Sequence, residues 1–183
     1  MSAEDRTVGY RRAVRRIVSG VSVLTVRHGD TLHGTTVSSL SAVSRQPLLV
    51  AVCLGRWSTF TGLASAAGRF TVNVLAEHQA GVAAWFADPG RPSGAAQFDH
   101  LTWQPDPVTD APRLDGALAS FSCDLHRRIP AGDHDLLLGE VTGGSAGEGN
   151  PLLHFSGQMH EGVLHPVTRG SGRATASALA VRS

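Results

Sequence analysis

An antiparallel β-barrel decorated by a few short helices is the fold class the sequence predicts, on three observations. First, apolar and β-branched segments of strand length recur from Val21 to Gly157 with turn residues between them. Second, helix-length patterns do not alternate with those strands, so this is not a chain of βαβ units. Third, the sequence holds no complete G-x-G-x-x-G and no G-x-x-x-x-G-K-[ST], so any nucleotide would bind without a Rossmann or P-loop cradle. The length of 183 residues suits one domain, and 42% apolar with 17% charged residues fits a globular one. The domain is expected over residues 1–164. A small, polar, aperiodic tail is expected over 165–183.

Residues 4–18 carry helical spacing: Val8, Ala13, Val14, Ile17 and Val18 share a face, flanked by Arg11, Arg12, Arg15 and Arg16. Gly20 ends that pattern. "GVSVLTVRH" then alternates as a strand, Gly29-Asp30 reads as a turn, and "TLHGTTVSSLSAVS" continues as a second long strand, making a hairpin. "PLLVAVCL" (47–54) is continuously apolar, the mark of a strand buried on both faces. "STFTGLASAAG" is a short helix with Ser58 or Thr59 as its N-cap and Gly68 as its stop. "RFTVNVL" is a further strand, and residues 79–87 a short helix. From Asp88 to Arg113 proline, glycine and aspartate dominate, which predicts a long surface loop. Strands resume at "GALASFSCDLHRRI", "HDLLLGEVTGG" and "PLLHFSG".

Composition excludes several function classes. The formal net charge is +1, which draws the protein to neither nucleic acid nor anionic lipid. The four arginines of the first helix invite a nucleic-acid reading, but no aromatic stacking residues or second basic stripe support it. Arg11-Arg12 ahead of an apolar run imitates a twin-arginine export signal. That run contains Ser22 and Thr25 and no cleavage site follows, so no export is expected, and the expected location is the cytoplasm. No segment reaches the ~20 apolar residues of a membrane span. Cys53 and Cys123 stand apart in apolar runs, as buried free thiols would. The nine histidines show no H-E-x-x-H, H-x-H or Cys/His pairing, so no metal site is expected, and no G-x-S-x-G elbow supports a serine hydrolase.

Three local features can carry chemistry. "GTTVSSLSAVS" (34–44) places six hydroxyls in one strand. Ser58 and Thr59 open a helix directly after a strand and a Gly-Arg turn, and a helix start with free N–H groups suits phosphate. Gly132-Asp133-His134 puts a histidine at the mouth of a strand, where it can be a loop residue, a metal ligand or a catalytic group.

In that order, these features resemble the flavin reductase-like family, the FMN-binding split barrels that serve two-component monooxygenases. The resemblance runs from about Tyr10 to Gly162. It is carried by "YRRAVRRIVSGVSVLTV", "HGTTVSSLSAVSRQPLLVAVCL", "RWSTFTGLASAAGRFTVNVLA", "QFDHLTWQPDPVTDAPRLDGALASFSC", "GDHDLLLGEV" and "PLLHFSG". It implies a Greek-key split barrel that pairs as a homodimer. It also implies reduction of FMN or FAD by NADH or NADPH and delivery of reduced flavin to a monooxygenase. A flavin-binding or sensing protein of the same fold without turnover is the alternative. Residue by residue, it lays Thr36, Val37, Ser38 and Ser39 along the ribityl chain and ring edge. The backbone at Cys53 and Leu54 meets the ring, Ser58 and Thr59 hold the phosphate, Asn73 supports the site and Phe98 closes over the flavin. His134 stands beside the nicotinamide. The chain departs from the family pattern at His154-Phe155 and Met159.

Overall fold

The computed structural model describes residues 3–167. Helix α1 (Ala3–Val14) is shorter than the spacing predicts, because the β-branched Ile17-Val18 pair leads into a two-residue strand β1 (Ser19–Gly20). Strands β2 (Ser22–His28) and β3 (Thr31–Val37) form the expected hairpin. The second strand does not run on to Ser44. It breaks at Ser38–Leu40, and β4 (Ser41–Arg45) pairs instead with β5 (Leu48–Gly55).

Beyond them lie α2 (Thr59–Ala67), β6 (Arg69–Val74), a 3-10 turn at Glu77–Gln79 and α3 (Ala80–Ala87). The segment read as one long surface loop is partly ordered and partly buried. It holds a 3-10 turn at Gly94–Phe98 and a small hairpin of β7 (Trp103–Pro105) and β8 (Pro112–Leu114). Asp106 anchors it: one carboxylate oxygen accepts from the backbone N–H of Val108 and Thr109 and from the Thr109 and Ser122 hydroxyls. Burial pushes that carboxyl up, but these hydrogen bonds outweigh it and hold it below the usual aspartate value. The chain closes with β9 (Ala119–Ala131), β10 (His134–Ala146), β11 (Leu152–Phe155) and β12 (Gln158–Glu161). The last was not expected, because all four of its residues are exposed and carry no apolar alternation. Of the predicted tail, residues 165–167 have no regular structure and the remainder lies outside the described residues.

One seven-stranded antiparallel sheet, ordered β3-β2-β6-β9-β10-β5-β4, forms the body. Its two edge strands, β3 and β4, are consecutive in the chain and joined by only Ser38–Leu40. Three linking residues reach at most about 14 Å, so the sheet must curl until its edges nearly meet. Ser39 fastens the closure: its hydroxyl donates to the Cys53 carbonyl at 3.0 Å and accepts from the Cys53 N–H at 2.9 Å. The result is an antiparallel split barrel, mainly β with short helices, as predicted.

The barrel interior is one apolar cluster in which Phe60 and Ala64 of α2 meet Leu24, Val52, Phe70 and Leu137. A second cluster packs Phe86 of α3 and Phe98 against Val21, Val23, Leu32 and Leu152. Strand β5 is not buried on both faces. Cys53, on the face away from the core residues Val50, Val52 and Leu54, is exposed, and Leu48 at the start of the strand is 47% exposed. Cys123 is buried, and burial raises its thiol to about 12.

Candidate functional site

Two turns meet at one end of the barrel. Strand β5 ends at Gly55, which stands directly across from His134, the first residue of β10. The turn that follows β5 is closed by the Ser58 N–H donating to the Gly55 carbonyl. The hairpin Ala131–His134 turns on Gly132, whose φ of +66° suits glycine. Arg56 ties the two turns together: its N–H donates to the Asp133 carbonyl at 3.0 Å and Nη2 to the Gly132 carbonyl at 2.8 Å. Beneath them the Arg128 guanidinium donates twice to Oδ2 of Asp135, which is 1% exposed, and so stiffens the root of the hairpin.

His134 itself is half exposed, with Nδ1 2.8 Å from Oδ1 of Asp133. That hydrogen bond holds the Asp133 carboxyl below its ordinary value. A carboxylate at Nδ1 fixes the tautomer with the proton there, leaving Nε2 to accept a proton or a hydrogen bond.

Beside this end opens a cleft of about 350 Å³, lined among others by His33, Thr35, Ser58, Thr59, Arg91 and Gln97. Ser58 occupies the N-cap position of α2 but makes no side-chain cap bond. Its hydroxyl and the first N–H groups of the helix therefore stay available to a ligand. Gln97 Nε2 is 3.3 Å from His33 Nδ1. An amide nitrogen only donates, so Nδ1 accepts and the ring proton sits on Nε2. Burial, with Arg91 adding to it, lowers His33 to about 4, so the ring is neutral at pH 7. No carboxylate lines the cleft, and its walls offer hydroxyl, imidazole and guanidinium donors. Such a lining accepts an anion.

The flavin reductase-like domain model matches residues 14–162. The chain belongs to the flavin reductase-like family. It is 41% identical over 169 residues to a NADPH-flavin oxidoreductase of Streptomyces viridifaciens, covering 92% of this chain and 87% of that one. It is 32% identical to the reductase component of the 4-nitrophenol 4-monooxygenase/4-nitrocatechol 2-monooxygenase of Rhodococcus opacus, covering 82% and 78%. Its backbone is similar to the flavin reductase component of a bacterial two-component tryptophan halogenase. There the TM-score is 0.80 at 34% identity, with 85% of this chain and 98% of that one covered.

In a flavin reductase-like chain the sites expected from sequence distribute unevenly. Ser58 and Thr59 lie on the cleft wall. Strand β3 continues from Thr35 at the cleft to Val37. Thr36, however, turns its hydroxyl to the Ala83 carbonyl at 2.7 Å, and Val37 is buried in the barrel core. Ser38 is half-buried at the link to β4, and Ser39 is engaged with Cys53. The Cys53 N–H and carbonyl are thus occupied by Ser39, and the Leu54 side chain points into the core.

Two further expected site residues, Phe98 and Asn73, lie in the interior. Phe98 is 2% exposed and packs between Phe86 at 5.3 Å and Trp103 at 5.8 Å between ring centroids. Burying an aromatic ring in the second cluster outweighs leaving it at a cleft wall, and its neighbour Gln97 lines the cleft instead. Asn73 is fully buried and bonded to protein groups. Its Oδ1 accepts from the Leu114 N–H at 2.8 Å and the Ser120 hydroxyl at 3.2 Å. Sequence reasoning missed His33, Arg91 and Gln97, which reach the cleft from segments some sixty positions apart with no local spacing to link them.

A flavin nucleotide has a flat ring, a polyol chain and a phosphate. The donor-lined cleft suits the phosphate, and the end of β5 runs on into the turn that carries Ser58 to its wall. The residues present fit the group.

Proposed function

We propose that this chain is an NAD(P)H:flavin oxidoreductase that reduces FMN or FAD and releases reduced flavin to a separate monooxygenase component. The observation that carries this reading is the convergence of a carboxylate-free cleft at Ser58 and Thr59 with the His134 hairpin, through a turn shared by Arg56. When bound, the flavin supplies the chemistry that accepts a hydride from the nicotinamide. Hydride transfer needs aligned, closely stacked rings more than a strong acid or base, so the protein's contribution is placement. Ser58, Thr59 and the start of α2 hold the phosphate. The exposed end of β5 at Cys53, with Ser38 and Ser39 of the link, sets the edge against which the ring lies. His134, its Nδ1 fixed by Asp133, presents Nε2 to the nicotinamide side and there holds or moves a proton.

The chain acts as a homodimer. Tyr10, Val14, Ile17 and Val18 leave an apolar stripe 58–67% exposed at α1 and just after it. An apolar groove of about 430 Å³ lined by Leu40, Leu48, Val50, Phe121 and Val141 opens against the barrel core and is uncovered among the described residues. Apolar surface of this extent on one chain fits a second copy. Static light scattering at micromolar concentration should give twice the monomer mass. Two unpaired thiols, Cys53 and Cys123, fit a reducing cytoplasm.

The test of the reductase is steady-state oxidation crossed over NADH, NADPH, FMN, FAD and riboflavin. Flavin-dependent turnover with at least one nicotinamide donor is expected. Purified protein that binds flavin yet oxidises neither donor above background refutes it.

A further inference from the structure

Trp57, on the turn between β5 and α2, is 92% exposed. The other two indoles of the chain, Trp85 and Trp103, are half-buried: Trp85 donates to the Gln97 carbonyl and Trp103 packs on Phe98. Trp57 belongs to neither apolar cluster, so its ring forgoes the burial that a tryptophan normally gains on folding. The turn that carries it is nonetheless fixed on both sides. Before it, Arg56 donates its N–H to the Asp133 carbonyl at 3.0 Å and Nη2 to the Gly132 carbonyl at 2.8 Å. After it, the Ser58 N–H donates to the Gly55 carbonyl at 2.9 Å. With the backbone so held, the indole keeps only its own two torsions, and a flat group that stacks on it costs little ordering entropy.

Position selects the ligand. Trp57 directly precedes Ser58, whose hydroxyl makes no cap bond and lies on the wall of the donor-lined cleft. Consecutive Cα atoms are about 3.8 Å apart, so a group attached to the outer side of a phosphate held at Ser58 passes this turn. In FMN nothing follows that phosphate, whereas in FAD a second phosphate and an adenosine do. We infer that Trp57 is a stacking platform for the adenine of FAD, and that the protein therefore binds FAD more tightly than FMN. The inference rests on the flavin reading above. Its own content is a second subsite, outside the cleft, that only the dinucleotide can reach. Adenine presents a flat π-face, and an exposed indole stacks on it without any hydrogen-bond readout. Arg56 brings a positive charge to the same turn, which suits a diphosphate. A protein partner fits less well, because an interface core surrounds such an aromatic with further apolar surface. Here the side chains on and tied to the turn are those of Arg56, Ser58 and Asp133, all polar.

The test measures dissociation constants for FMN and FAD by isothermal titration calorimetry, without NAD(P)H, for wild type, Trp57→Ala and Trp57→Phe. Wild type should hold FAD about 5- to 30-fold tighter than FMN, the lower part of the range that base–aromatic stacking spans. Trp57→Ala should remove that advantage and leave the FMN Kd within about twofold, and Trp57→Phe should keep part of it. Equal weakening of both flavins in Trp57→Ala would make the residue a brace of the turn and overturn the inference, as would an FAD advantage that survives the substitution. Loss of NADH affinity with the FAD advantage intact would assign the indole to the other dinucleotide and overturn it too. So would a fall from dimer to monomer mass in light scattering with that advantage intact, which would place a second copy on the ring. Should Trp57→Ala fail to fold, Trp57→Phe decides, because an FAD advantage undiminished by the smaller ring excludes stacking on it. Wild-type binding of FMN and FAD with equal affinity removes the adenine subsite and leaves the flavin reading intact. Binding of neither ends both.

Discussion

Replacing Asn73 by alanine separates a buried brace from a ligand contact. The Asn73 amide has two N–H donors shared among the Val23 carbonyl, the Thr25 hydroxyl and the Pro112 carbonyl at 3.3–3.4 Å. Its Oδ1 makes the stronger pair, from the Leu114 N–H and the Ser120 hydroxyl. Truncation leaves the Leu114 N–H unpaired in a site with no access to water. A buried orphan donor costs roughly 1–3 kcal/mol. The Ser120 hydroxyl can rotate to another partner, and the small cavity adds about 1 kcal/mol. The total is about 2–4 kcal/mol, which for a chain of this size lowers Tm by roughly 4–16 °C. Thermal unfolding followed by circular dichroism reads that shift, and flavin fluorescence reads the Kd below the transition. The expected result is a lower Tm with FMN affinity within about threefold of wild type. Unchanged Tm with FMN affinity lost would show that Asn73 meets the flavin, and the brace argument would be wrong.

The remaining predictions concern the cleft and the hairpin. His134→Ala should lower kcat/KM for NAD(P)H while leaving flavin Kd within a few-fold; the opposite pattern would place the ring at the flavin. Ser58→Ala with Thr59→Ala should weaken FMN by about 1–3 kcal/mol through two lost hydrogen bonds, with riboflavin as the unaffected control in the same titration. For His33 the folded pKa of about 4 lies below its unfolded value of 6.5, so between those values the unfolded chain takes up a proton the folded chain refuses. Stability therefore falls as pH drops from 6.5 toward 4. Solvent screening of a half-buried ring reduces the loss between pH 7 and pH 5 to about 1 kcal/mol. Urea midpoints at the two pH values should show it in wild type, and His33→Gln should lack that component.

The barrel was legible in the sequence wherever one face of a strand is dry. Strands β2, β6, β9 and β10 and helix α2 follow apolar patterns that burial enforces. The run from Thr31 to Ser44 misled because its hydroxyl residues favour strand throughout. What breaks it at Ser38–Leu40 is the closure of the barrel, a property of the whole sheet. The 88–113 segment misled for the reverse reason. Proline and glycine signalled turns correctly but said nothing of the buried Gln97, Phe98 and Asp106 that those turns position. Ser58, Thr59 and His134 were legible because local motifs carry them. The donor cluster around Arg91 was not, since it exists only once β3 and the 3-10 turn at Gly94–Phe98 are packed together.

That packing explains how the cleft can be rigid although its wall is a loop. Strand β3 is an edge of the main sheet, and an exposed edge is open to pairing with another chain. Here, at Gly34, side chains from the loop take the place of a strand: the N–H meets Gln97 and the carbonyl meets Arg91. A side chain at position 34 is impossible without moving Phe86, because a Cβ there would overlap its ring. The same ring packs on Phe98 and faces the Arg91 guanidinium. Core packing, edge protection and the placement of the cleft cation thus converge on one glycine. The loop at Arg91 cannot leave the cleft without both uncovering the β3 edge and loosening the second apolar cluster, so the cost of opening it is that of disturbing the core.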